Sequence, residues 1–276
     1  MEKQFFGKVA FITGGARGIG KGIADVLADR GANLAISDID DDELKVIEKE
    51  FQQKNVDIIV GKVDVTNKQE LEEFVNATMS KFGQIDVCVP NAGSIGSAGF
   101  AERKDYVDED WDVTYQVNVK GLVNTTDSVK NYMKERKYGK IVIVSSQGGR
   151  KPRGVGDKGR GNVQTPYMVS KSAAIQFTHA LAQELGSFNI NVNTVCPGRL
   201  WTSFWQKIAE NHKALNPDMA EMDPYDIFME QIKLNFPLGR PQEPEDIGKA
   251  VAFLASEDAA QITGQALNVN GGNIFN

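Results

Sequence analysis

Short, unbroken apolar runs that alternate with longer amphipathic stretches constrain this 276-residue chain more than any other feature. KVAFIT (8–13), NLAISD (33–38), IDVCVPN (85–91), GKIVIVSS (139–146) and INVNTVCPG (190–198) read as buried strands, VDIIVGKVDV (56–65) contains another, and TGQALNVNGG (263–272) closes the chain with a last one. A strand that is apolar at nearly every position needs cover on both faces, and the stretches between supply it with helical spacing. Ile19, Ile23, Val26 and Leu27 mark a helix over 18–31, and others are expected at 41–54, 67–82, about 108–136, 165–187 and 244–256. Repeated strand–helix–strand units predict an α/β fold, a doubly wound parallel sheet, whose ligands bind at the carboxyl ends of the strands. With no repeat and no linker-like boundary, residues 1–276 read as a single domain.

The informative residues do fall just after strands. Thr13-Gly14-Gly15-Ala16-Arg17-Gly18-Ile19-Gly20 joins the first strand to the first helix in a Gly-x-x-x-Gly-x-Gly pattern. Such a turn lets backbone approach a pyrophosphate, which the helix N-terminus then favours with its amide donors and dipole. Gly14, Arg17, Gly18, Ile19 and Gly20 are therefore candidate cofactor contacts. Asp38 ends the second strand, 20 residues beyond Gly18, where a carboxylate can accept from both ribose hydroxyls of an adenosine and repel a 2′-phosphate. Arg17 pulls the other way, since a guanidinium there could pair with that phosphate. Asp38 and the acids at 40–43 outweigh it, so NAD is expected, while Asp40 or Asp41 suits a helix cap. Asp64-Val65 after the third strand could meet the adenine, and Asn91-Ala92-Gly93 after the fourth could admit the nicotinamide ribose.

Tyr167 and Lys171 are four residues apart at the start of an expected helix, so they share one face. An ammonium near a phenol favours phenolate and brings a tyrosine toward use as a general acid/base. Ser146 ends the fifth strand, Asn118 lies in the preceding helix, and Pro197-Gly198 ends the sixth strand. In this order the motifs resemble the classical short-chain dehydrogenase/reductase family, over essentially the whole chain from Lys8 to Gly272. The resemblance implies a Rossmann-type sheet of about seven strands and a homotetramer. It implies a tetrad in which Tyr167 is the acid/base, Lys171 lowers its pKa and binds the nicotinamide ribose, Ser146 positions the substrate oxygen, and Asn118 holds a water. Pro197, Gly198, Leu200 and Thr202 would hold the carboxamide, and Ser146, Gln147, Tyr167 and Trp201 would touch substrate. Pro90 replaces a frequent Asn of the family, and Ser146 and Tyr167 are 21 residues apart, wider than usual.

That width comes from GGRKPRGVGDKGRGN (148–162), a Gly-rich insertion with Arg150, Lys151, Arg153, Lys158 and Arg160 against one acid, Asp157. It could fold over an anionic group or remain a solvated loop. Residues 199–236 read as a helical lid, with Trp201, Phe204, Trp205 and Ile208 on one face and Tyr225, Phe228, Met229 and Ile232 on another. Aromatic faces can stack on sugar rings, wall a bulky apolar ligand, or only pack the lid. The expected reaction interconverts a secondary alcohol and a ketone, leaning to a polyol or sugar-derived substrate, phosphorylated or not. A hydroxysteroid or other bulky apolar alcohol is the alternative, and a non-catalytic dinucleotide-binding regulator is the rival of another class. A net charge of −6 argues against nucleic-acid or anionic-membrane partners. No leader pattern opens MEKQFFGKVAFITGG and no apolar run approaches ~20 residues, so a cytoplasmic protein is expected. Cys88 and Cys196 lie in apolar runs and read as buried hydrophobes; His179, expected to pack on its helix, and His212 are too isolated for a metal site, and none is expected.

Overall fold

The computed structural model describes every residue except 1–2, 104, 152–163, 203–204, 207, 211–212, 214–215 and 276. Seven strands form one sheet in the order β3-β2-β1-β4-β5-β6-β7. They are β1 (Val9–Thr13), β2 (Asn33–Asp38), β3 (Ile58–Lys62), β4 (Val87–Pro90), β5 (Gly139–Val144), β6 (Ile190–Pro197) and β7 (Ala266–Val269). Every pairing is parallel. Strands β1, β5 and β6 are buried at every position, whereas the edge strand β7 is mostly half-buried.

Alternation along each strand sorts the core into two layers. On one face Ala10, Ile12, Val87 and Val89 meet three helices: α1 (Gly18–Asp29), α2 (Asp41–Gln53) and a late helix described below. Ile23, Val26 and Leu27 come from α1, and Leu44, Ile47 and Phe51 from α2. On the other face Phe11, Cys88 and Ile141 meet α3 (Lys68–Phe82), α5 (Leu122–Arg136) and α6 (Thr165–Leu185), through Leu71, Phe74, Val129, Met133, Leu181 and Leu185. Local chemistry sets the helix ends. Asp40 caps α2 by accepting from the Glu43 amide, and Asn67 caps α3 before it stops at left-handed Gly83.

The long helix expected over about 108–136 is found, but not as regular α-helix. Residues Asp108–Thr114 (α4) lead into a π-helical stretch, Tyr115–Gly121, before α5 resumes. A π turn inserts a residue into the ladder and commonly marks a functional site; this one holds Asn118 at its centre. The crowding at its end is visible at Gly121, where a Cβ would meet the buried side chain of Val65.

The lid expected over 199–236 contributes α7 (Pro224–Asn235), whose Phe228 and Ile232 pack with Phe236, Trp201, Trp205 and Met229 in a separate small cluster. The first lid helix falls partly outside the described residues, Phe204 and His212 included, although 205–206 and 208–210 are helical. The remaining helix, α8 (Pro244–Ala255), lies so close to α1 that a Cβ on Gly248 would stand 2.6 Å from the Gly22 carbonyl oxygen. Of the basic insertion, residues 148–151 are described; Arg153, Asp157, Lys158 and Arg160 lie outside. Cys88 and Cys196 are buried free thiols, while His179 is exposed on α6 rather than packed against it. Among the described residues no helix is long and apolar enough to cross a membrane.

Candidate active site

The strand order reverses between β1 and β4, since the chain builds outward from β1 to β3 before crossing to β4. The carboxyl ends of these two strands therefore diverge into a crevice, the usual ligand position in such sheets. Asn91 stitches the crevice floor. Its amide donates to the carbonyls of Thr13 at 3.1 Å and Gly14 at 2.7 Å, while the Thr13 hydroxyl accepts from the Asn91 and Ala92 amides. Gly14 and Gly20 of the turn sit against this floor with no room for a side chain. Gly14 has φ +62°, and a Cβ there would lie 2.7 Å from the Ala92 Cα; one on Gly20 would lie 2.6 Å from the Asn91 amide nitrogen. The result is a backbone cradle at the N-terminus of α1, of the kind that receives a pyrophosphate.

Asp38 stands at the tip of β2 beside that cradle. Its carboxylate accepts from the Ala16 amide at 3.1 Å and the Asp40 amide at 3.2 Å, which fixes it against the turn. Arg17 leans outward instead, with its side chain 67% exposed and 3.5 Å from the Asp40 carboxylate. Asp64 accepts from the amide and hydroxyl of Thr66, and Val65 is buried behind it.

Deeper along the crevice, the four residues expected to act together are brought together. Lys171 is 6% exposed and donates to the Val144 carbonyl at 3.0 Å, while the Ser145 hydroxyl donates to the Lys171 carbonyl at 2.7 Å. These two bonds lock the end of β5 to the first turns of α6. The Lys171 ammonium lies 5.8 Å from the centre of the Tyr167 ring, and the Ser146 hydroxyl is hydrogen-bonded to the Tyr167 phenol. Gly93 adjoins both Asn118 and Lys171: a Cβ on it would lie 3.2 Å from the Asn118 Oδ1 and 3.3 Å from the Lys171 Nζ. Ser145 is thus used in clipping helix to strand, and Ser146 is the serine that reaches the tyrosine.

The Asn118 side chain is fully engaged. Its Oδ1 accepts from the Ser94 amide at 2.7 Å, and its Nδ2 donates to the Ser94 carbonyl at 2.7 Å and the Ser170 hydroxyl at 2.8 Å. It ties the β4 exit, the π-helical stretch and α6 into one block. A second block follows at Asp110, wholly buried, which accepts from the Ser97 amide and hydroxyl, the Arg103 guanidinium and the Val107 amide. Burial works against this carboxylate, but those bonds prevail and hold its pKa below the ordinary value. At the tetrad burial dominates: it pushes the Lys171 ammonium down to about 8 and the Tyr167 phenol up, the bond from Ser146 opposing the latter.

Tyr167 and Ser146 open into a cleft of about 970 Å3 that also takes in Ile19, Pro197, Gly198, Leu200 and Thr202. Gln147 lines it as well. Trp201 does not: it packs edge-on against Tyr225 and tilted against Phe228, and its neighbour Trp205 reaches the cleft instead. Gln164, Arg199, Gln231, Asn235 and Asn273 also line it. Of these, only Arg199 carried a usable sequence signal, through its place directly after Pro197-Gly198; the others arrive from distant segments. Within the insertion, Arg150 turns inward to the Ala266 carbonyl and the Cys196 thiol, whereas Lys151 faces the cleft. Among the described residues no group of three His, Cys, Asp or Glu side chains could hold a metal ion.

Comparison with known proteins agrees with this geometry. A family model described as Enoyl-(Acyl carrier protein) reductase matches residues 14–273. A diacetyl reductase [(S)-acetoin forming] of Staphylococcus epidermidis is 35% identical over 269 residues, covering 97% of this chain and 99% of that protein. An NAD+-bound xylitol dehydrogenase structure superposes with a TM-score of 0.85 at 29% identity, covering 98% of this chain and all of that one (100%). A variant of actinorhodin polyketide ketoreductase with NADPH gives a TM-score of 0.84 at 32% identity, with 99% of each chain covered. The chain belongs to the classical short-chain dehydrogenase/reductase family, oxidoreductases that bind a nicotinamide dinucleotide and act on alcohols or ketones.

Proposed function

We propose that this protein is an NAD-dependent dehydrogenase/reductase that interconverts a secondary alcohol and a ketone, with a polyol or sugar-derived alcohol, phosphorylated or not, as its substrate class. The observation that carries the reading is the cluster in which half-buried Ser146 bonds to half-buried Tyr167 beside buried Lys171, open to the cleft that reaches Ile19 after the glycine turn. One domain holds both halves of the site.

The glycine turn fits a pyrophosphate because Gly14 and Gly20 pack backbone so closely that a Cβ on either would collide with it, while left-handed Gly18 opens α1 with no side chain over the helix N-terminus. Asp38 fits ribose hydroxyls and, with Arg17 drawn to Asp40, favours NAD over NADP. Asp64 and Val65 would meet the adenine, Asn91 to Gly93 the second ribose, and Pro197, Gly198, Leu200 and Thr202 the carboxamide. When bound, the dinucleotide supplies or accepts the hydride. The remaining work belongs to the chain. Tyr167 gives its phenolic proton to the carbonyl oxygen in reduction and takes the hydroxyl proton in oxidation. Ser146 donates to the same oxygen and so places it against Tyr167. Lys171 holds positive charge beside the phenol and lowers the cost of phenolate. The Asn118 side chain is committed to Ser94 and Ser170, so holding a water falls to its main-chain carbonyl in the π-helical stretch.

The cleft supports a polar substrate over a hydroxysteroid, since Gln147, Gln164, Gln231, Asn235 and Asn273 line it. A cytoplasmic homotetramer, as the family pattern implies, completes the reading. The test is NADH and NADPH absorbance across polyols, sugar phosphates, hydroxysteroids and simple secondary alcohols, repeated with Tyr167→Phe. Turnover of a polar class with NAD, cut by about 10²–10⁴-fold in the variant, is expected. Full turnover by Tyr167→Phe overturns the mechanism, and binding without turnover on any class favours the non-catalytic regulator.

A further inference from the structure

The charge of the cleft is opposite to that of the protein. The chain carries a formal excess of acid, −6. Yet among the described residues lining the cleft the formally charged side chains are Lys151 and Arg199, with no carboxylate among them. The cradle that suits a pyrophosphate is built from backbone at the far, glycine-turn end, so these cations are not needed there. Lys151 enters from the segment after Ser146 and Arg199 from the segment after Pro197-Gly198, so two separate segments bring positive charge to the cleft.

Arg199 is also held in a fixed orientation. Its guanidinium stacks 4.7 Å from the centre of the Trp205 ring and 5.8 Å from that of Phe236, and donates to the Gln231 side chain at 2.9 Å. A guanidinium held beside aromatic rings keeps a planar fork of donors, the group that recognises carboxylate and phosphate oxygens. A cation pre-ordered in this way loses little entropy on meeting an anion. A cleft of one sign also concentrates ligands of the other.

Resting on the oxidoreductase reading, we infer that the substrate carries an anionic oxygen group, a carboxylate or a phosphate ester, and that Arg199 recognises it, with Lys151 adding positive charge to the same cleft. Arg199 is then the specificity-determining residue of the pocket, and the amides of Gln147, Gln164 and Asn273 serve the uncharged oxygens of the same molecule.

The test measures binding to the preformed NADH complex by isothermal titration, using matched probes: acetoacetate against its methyl ester, and a pentulose 5-phosphate against the free pentulose. Wild type is expected to bind the anionic member of at least one pair at least tenfold more tightly, about 1.4 kcal/mol; which pair responds separates carboxylate from phosphate. Arg199→Gln is expected to remove most of that ratio and Arg199→Lys to retain part of it. Equal binding within both pairs, no binding of either anion at millimolar concentration, or an undiminished ratio in Arg199→Gln overturns the inference. NADH affinity and melting temperature are read on every variant; a ratio lost only together with both marks Arg199 as a staple of the lid and also overturns it. Failure of wild type to bind NADH or NADPH at all sinks the underlying reading instead.

Discussion

Replacing Lys171 by methionine should make the protein more stable at neutral pH while removing its activity. The ammonium is 6% exposed, and burial brings its pKa from 10.5 down to about 8. Keeping it charged at pH 7 costs the folded state about 3 kcal/mol, since each pKa unit is worth about 1.4 kcal/mol. Methionine fills the same space, and the lost bond to the Val144 carbonyl returns about 1 kcal/mol of that gain. The variant should therefore be more stable at pH 7 by about 2 kcal/mol, a rise in Tm of roughly 5 °C for a domain of this size. The sign with pH follows from a basic group whose folded pKa is depressed. Above pH 8 the folded protein releases the proton while the unfolded chain keeps it until 10.5, so wild-type stability gains on the variant across that interval. Thermal melts of cofactor-free wild type and Lys171→Met at pH 7 and pH 10 read this directly, and taking their difference cancels the titrating groups that Lys171 does not touch. A gap of the same size at both pH values refutes the claim that Lys171 is a desolvated cation.

Asp38→Asn should preserve the acceptor for the Ala16 amide yet remove the charge, moving the ratio of kcat/KM for NADP over NAD upward by about tenfold or more; an unchanged ratio means that another group discriminates. Asp110→Ala strands the Arg103 guanidinium and the Ser97 and Val107 amides, so a loss of about 3–5 kcal/mol should appear in urea unfolding. Because bonding holds the Asp110 pKa below 3.8, its contribution is present above that pH and fades as the pH falls through the native value. The gap between wild type and Asp110→Asn should accordingly narrow in acid, and a constant gap argues against an ionised Asp110. Gly14→Ala drives a Cβ toward the Ala92 backbone from a left-handed conformation, and should abolish NADH fluorescence enhancement while costing at least about 1 kcal/mol; normal cofactor binding would refute the cradle.

The parallel sheet, its cover on both faces, the glycine turn, Asp38 and the Tyr167–Lys171 pair were all legible in the sequence. Each is local: β1 and β6 are apolar throughout because both faces are covered, and a spacing of four puts two side chains on one helical face wherever the helix lies. The sequence also favoured Ser146 over Ser145, and in the folded chain Ser145 bonds the Lys171 carbonyl while Ser146 reaches the Tyr167 phenol. The π-helical stretch was not legible, because 108–136 has the pattern of one continuous helix. Its break belongs to contacts such as Gly121 against Val65, between segments 56 residues apart.

The same division explains the substrate pocket. The sequence favoured Trp201 as the substrate contact, through its place between Pro197-Gly198 and Thr202, but spacing does not say which lid tryptophan faces inward. Packing decides it, by placing Tyr225 and Phe228 against Trp201 and leaving Trp205 beneath the Arg199 guanidinium. Likewise the insertion reads as one basic patch, but Arg150 turns to the Ala266 carbonyl while Lys151 faces the cleft. The sequence determined the sheet, the glycine turn and the Tyr167–Lys171 pairing because backbone geometry and periodicity act over a few residues. The tertiary structure alone decided what surrounds the substrate, because a cleft wall assembled from residues 147, 164, 199, 231 and 273 exists only once distant segments have packed together.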